Sequence, residues 1–158
     1  MSISSFTTDY TGRLLDIFIF RGMDPESQTL QTATLEFGAV SSYCAGIEKL
    51  VQRYAIALLT QLGSQSDFSS FGSDLLNNLN SSANASTLQV RHMFAFANFA
   101  VIQQFRTFQQ ANSNYPLDEQ LATATLNDIS LIGSSVSFNI TVTSLSGETV
   151  SFLLPIPV

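Results

Sequence analysis

The chain has 158 residues, enough for one domain with a sizeable core and too few for a multidomain enzyme. Apolar residues make up 45%, which excludes global disorder, while charged residues make up only 11%, against roughly 25% in an average soluble domain. Six Lys and Arg against twelve Asp and Glu leave a formal net charge of −6, so a nucleic-acid backbone is excluded as the main ligand.

Residues 1–12 are polar and aperiodic and read as a flexible arm. The run 14–20 is β-branched and aromatic enough for a strand covered on both faces, followed by a turn at Met23-Asp24-Pro25-Glu26. Over 29–37, Ala33, Leu35 and Phe37 alternate with polar residues as in a second strand, ended by Gly38. From 42 to 62 the period becomes helical. Ile47, Leu50, Val51, Tyr54, Leu58 and Leu62 share one face, with Glu48, Lys49, Gln52 and Arg53 largely opposite. Gly63 stops this helix, and a short one over 73–79 buries Leu75, Leu76 and Leu79.

Residues 77–84 are a loop by composition, and Ser86 with Gln89 three positions later forms a capping-box signature for a long helix. Between 93 and 102 its apolar residues wrap nearly all round, so burial is expected, partly by other chains; Pro116 closes the helical region. The remainder is β by period, loosely over 121–131 and then clearly at Val136, Phe138, Ile140 and Val142. A two-residue hairpin loop at Ser146-Gly147 would mix the faces. A three-residue loop, Leu145-Ser146-Gly147 with Gly147 left-handed, pairs Val142 with Val150, Ile140 with Phe152 and Phe138 with Leu154, all on one face. Pro155 and Pro157 argue against a central position for the last strand. The expected class is α+β: one domain over 1–158, a small mixed or antiparallel sheet whose C-terminal β-hairpin packs against two or three helices.

Little in this order carries catalytic chemistry. Cys44 stands alone, which excludes an internal disulfide framework and a cysteine-based zinc cluster. His92, the one histidine, sits between Arg91 and an aromatic run and reads as structural. Asp118 and Glu119 read as solvated loop charges rather than a glycosidase pair, and Asp67 and Asp74 carry no sign of desolvation. Gly63 and Gly72 lack the spacing and the Lys of a phosphate loop. The triplets at Asn80, Asn84 and Asn139 are chance in a Ser/Thr-rich sequence. No signal peptide or bilayer-spanning run is apparent, so the expectation is a soluble non-enzyme without cofactor, metal, nucleic-acid or membrane partner.

The segment 46–79, GIEKLVQRYAIALLTQLGSQSDFSSFGSDLLNNL, resembles the baseplate wedge or sheath-initiator family of contractile phage tails, related to the type VI secretion baseplate component. The matching residues are Gln52, Arg53, Leu58, Leu59, Thr60, Gly63, Phe71, Gly72, Ser73, Asp74 and Leu75. The long helix, the acidic Asp118-Glu119 and the closing hairpin resemble the family's later elements in the same order. Where many members carry Glu, Arg and Pro in the glycine loop, this chain has Ser64, Gln65 and Ser69, which removes a charge-based contact and leaves hydrogen-bonded docking.

The resemblance implies a structural protein of the virion's tail baseplate that docks on the wedge core-bundle proteins and templates the first sheath ring by β-strand augmentation, with the tail tube as a further neighbour. On that basis Gln52, Arg53, Gly63, Ser64, Gln65, Phe71, Gly72 and Asp74 are assigned to the wedge. Val136, Phe138, Ile140, Val142, Val150, Phe152 and Leu154 are assigned to the tail sheath. The alternatives are another tail or neck structural protein, a standalone binding module such as an adhesin, or a small carboxylate-dependent cell-wall hydrolase.

Overall fold

The computed structural model describes residues 13–21, 30–32, 34–35, 42–82, 85–112 and 114–157. The expected arm over 1–12, the turn at 23–26 and the stop at Gly38 lie outside them.

The class is α+β. Short strands come first: β1 (Asp16–Phe18), β2 (Phe20–Arg21), β3 (Gln31–Thr32), β4 (Thr34–Leu35) and β5 (Ser42–Cys44). Helices α1 (Gly46–Leu59), α2 (Leu75–Ser81) and α3 (Thr87–Ala111) follow, then long strands β6 (Leu121–Ile132), β7 (Ser135–Ser144) and β8 (Thr149–Pro157). The main sheet has the order β3-β8-β7-β6, antiparallel except where β3 joins β8 in parallel; β1 pairs with β5 and β2 with β4 in separate ribbons.

The hairpin has the expected register: Val142 faces Val150, Ile140 faces Phe152 and Phe138 faces Leu154. Gly147 takes φ +92°, and its N–H donates to the Ser144 carbonyl across the three-residue loop (3.1 Å). Along β7, buried and half-buried residues alternate, so one sheet face is the core and the other is partly open. Phe138 stacks on Phe94 of α3 (5.1 Å between centroids), and Tyr54 of α1 lies against Phe105 of α3 (6.5 Å). The Tyr54 hydroxyl donates to Asn98 Oδ1 (2.7 Å), whose amide donates to the Ala124 carbonyl (2.9 Å), tying both helices to β6.

Several boundaries differ from expectation for local reasons. Residues 42–44 are strand, and α1 begins only at Gly46. It ends at Leu59, because Thr60 turns to an extended conformation (φ −81°, ψ 128°), while its N–H and hydroxyl still satisfy the Ile56 carbonyl (2.8 and 2.7 Å). Leu62 is consequently exposed rather than on the helix's buried face. The segment 14–20 is not a strand covered on both faces: β1 and β2 are short, and Leu14 and Ile17 are exposed. Lys49 and Gln52, expected on the polar side of α1, are buried. The capping box forms as read, with Ser86 N–H donating to Gln89 Oε1 (2.7 Å) and Gln89 N–H to Ser86 Oγ (3.3 Å).

Candidate functional site

Residues 60–74 form a closed loop. Ser73 N–H donates to the Thr60 carbonyl (2.8 Å) and Leu62 N–H to the Ser73 carbonyl (3.1 Å), a one-rung parallel bridge across its neck. The buried Ser73 hydroxyl donates to the Leu58 carbonyl (2.7 Å) and accepts from Leu75 N–H (3.2 Å), so it joins the end of α1 to the start of α2. Gly72 lies inside this neck with φ +108°, where a Cβ would stand 2.5 Å from the Thr60 oxygen. The Gln104 side chain of α3 holds it from both sides: Gly72 N–H donates to Oε1 (3.0 Å) and Nε2 donates to the Gly72 carbonyl (2.7 Å). Beyond the neck, residues 61–70 are all exposed, Phe68 among them. The neck is fixed and the tip is presented to solvent.

The residues assigned to the wedge separate into two groups here. Gly63, Ser64, Gln65 and Asp74 are exposed on or beside the loop, and Phe71 is half-buried at its base. Gly72 and Gln52 are buried and cannot touch a partner. Gln52 accepts from Ile19 N–H (2.8 Å) and donates to the Ile17 carbonyl (2.7 Å), holding the β1–β2 segment to α1. Its role is internal. The Arg53 guanidinium lies over Phe105, Phe108 and Tyr115 at 5.6, 4.9 and 5.3 Å, a cation in an aromatic cage. Arg53, Ile56, Phe71, Gln104, Phe105 and Phe108 line a shallow recess of about 130 Å³ at the loop's base.

All seven side chains assigned to the sheath, Val136, Phe138, Ile140, Val142, Val150, Phe152 and Leu154, are buried in the chain's own core. They face the helices, so none is available to a neighbour as a side-chain contact. Any strand addition must therefore use backbone groups at a sheet margin, and β7 is sealed on both sides by β6 and β8. Ser144 N–H donates to the Glu148 carbonyl (2.9 Å), which sets the hairpin's phase. Even-numbered residues of β8 bond to β7 and odd-numbered ones point outward. Pro155 and Pro157 are thus outward positions; they leave the β7 ladder intact up to Pro157 and remove two donors from the outer margin. Among the described residues, that margin is paired only with β3, at Phe152 and Leu153.

Sequence reasoning missed a buried charge network. Glu119 is not solvated, since Lys49 Nζ lies 2.8 Å from Glu119 Oε2 with side-chain exposures of 6% and 2%, and the half-buried Asp118 is paired rather than free, with Arg13 at 2.6 Å. Lys49 also donates to the Leu14 carbonyl, and Gly46 N–H donates to Glu119 Oε1 (3.3 Å). The hydrogen bond to Asp118 raises the Arg13 pKa. Burial pushes the Cys44 thiol from 9.0 up to about 12, so it stays protonated and unreactive at neutral pH. Nothing in the sequence signalled the Lys49–Glu119 pair, because its members lie on distant elements. His92 is exposed on α3 rather than packed within the fold. Among the described residues, no three His, Cys, Asp or Glu side chains are grouped to hold a metal ion, and no helix is long and apolar enough to cross a membrane.

Compared with protein-family models, with curated proteins and with solved structures, the chain matches none.

Proposed function

We propose that this chain is a structural baseplate protein of a contractile phage tail, docking on the wedge core bundle and templating the first sheath ring by β-strand addition. The observation that carries the reading is the segment 46–79. Its glycine-loop pattern resembles sheath initiators, and in this fold Gly72 and Ser73 fix the neck so that Ser64 and Gln65 project at an exposed tip. A loop with a fixed neck and a mostly uncharged tip, Asp67 being its one ionisable residue, suits hydrogen-bonded docking. For the sheath, the acceptor is the outer margin of β8 beside Ser151 and Leu153, where β3 already occupies a strand position in parallel orientation. Two residues of parallel pairing form a small ladder that a longer strand can replace or extend.

The hydrolase alternative lacks free acids at its best pair, since Asp118 and Glu119 are each bound to a cation. Removing residues 134–158 would not isolate the hairpin's role, because it would also remove Phe138, Ile140 and Phe152 from the core. Electron cryomicroscopy of the assembled particle is the better experiment. The expected result places the chain between baseplate and first sheath ring, with a foreign strand along β8 and the 61–70 tip against helices of the wedge. A position at the neck or tail tip, or an unaccompanied β8 margin in the finished tail, would overturn the proposal.

A further inference from the structure

Helix α3 is covered on one side only. Val90, Phe94, Ala97, Val101 and Phe105 face the core, while Phe96, Phe99 and Leu88 are 76%, 65% and 65% exposed. At 100° per residue, Leu88, His92, Phe96, Phe99, Gln103 and Arg106 form one stripe, opposite the core face and away from the Gln104 clamp on the docking loop. No Asp or Glu occurs between residues 85 and 112, in a chain with twice as many acids as cations. Arg91, on the flank, is already paired with Asp128 (3.2 Å); Arg106 is exposed and unpaired among the described residues.

We infer that this stripe is a docking face for an amphipathic helix of another protein, one that carries Asp or Glu beside large apolar residues. The helix is about 37 Å long at 1.5 Å per residue, room for several turns of contact. Two exposed phenylalanines at its middle are natural anchors, and Arg106, with no acid on the helix to offset it, prefers an acidic flank to a basic one. Acids elsewhere on the molecule are screened beyond about 8 Å at physiological ionic strength, so the local character of the face decides. A second copy fits poorly. In parallel it seats Arg106 on its twin; antiparallel, with Phe96 against Phe99, it sets Arg106 beside Gln89 and His92, and neither orientation supplies an acid. The inference is independent of the tail-baseplate proposal, because it rests on the composition and exposure of α3.

The test uses the full chain and two labelled synthetic helices of about four heptads, each with Leu at the core positions and flanked either by Glu or by Lys. Fluorescence anisotropy is expected to show saturable binding of the Glu helix at least about tenfold tighter than the Lys helix. The double variant Phe96→Ser, Phe99→Ser, changed only at exposed positions, should lose binding while keeping its melting temperature. Arg106→Glu should invert the preference toward the Lys helix, and this swap decides the matter even if the double variant fails to fold. Absence of binding, equal binding of both helices, or dimerisation through Phe96 and Phe99 in sedimentation velocity would overturn the inference.

Discussion

A methyl group at Gly72 would meet the Thr60 carbonyl oxygen while the backbone still required a positive φ, so two separate penalties fall on one residue. Gly72→Ala is expected to cost about 2–4 kcal/mol, read as a lower urea midpoint, whereas Ser66→Ala at the tip should change it by less than about 0.5 kcal/mol. The contrast checks that the neck is fixed and the tip free. Some single-residue roles were legible: Gly147 had to be left-handed because only a three-residue loop keeps six apolar residues on one face. Others were not. Lys49 occupies a position that helical periodicity assigns to solvent, and its burial depends on Glu119 arriving from a distant turn. Period records which face of a helix is apolar but not which charged residue will find a partner at its border. The buried pair is costly to break, since either charge left alone would remain desolvated.

Among the elements, the C-terminal strand shows how proline can serve a sheet without interrupting it. Pro155 and Pro157 fall on the outward phase of β8, so each removes a donor that only an intruding strand could use. Pro155→Val would restore one such donor next to the β3 contact. The expected outcome is a fold of unchanged or slightly higher stability that self-associates at high concentration, visible as increased light scattering; a variant that stays monomeric would show that the prolines do not guard this margin. The sequence suggested that these prolines excluded a central strand. Phase, which depends on the hairpin register, instead lets β8 pair along its whole length with β7 and take β3 on its other side. For α3 the outer stripe mixes Leu88, Phe96 and Phe99 with His92, Gln103 and Arg106, while the covered face is apolar throughout, so the bias toward the core face was present in sequence but masked by the two exposed phenylalanines; Phe138 stacks on the covered face.

Across the whole molecule, stability should be graded. The long β6, β7 and β8 ladders and the buried faces of α1 and α3 make one core, while the β1–β5 and β2–β4 ribbons are two or three residues long and leave Leu14 and Ile17 exposed. Hydrogen exchange is expected to be slowest at β7, sealed on both sides, and much faster at β1, β2 and β3. Comparable protection of β3 and β7 would show that the early strands unfold only with the core. Parallel pairing of β3 with β8 joins residues 31 and 152, and a contact between such remote residues has no local sequence signal.

The position of β8, alongside β7 from Thr149 to Pro157, also gives the molecule a mechanical direction. Tension applied parallel to that strand loads the rungs of the ladder together in shear, whereas a sideways pull peels them in succession. A tether attached through β8 should therefore resist rupture most strongly when the force follows the strand axis.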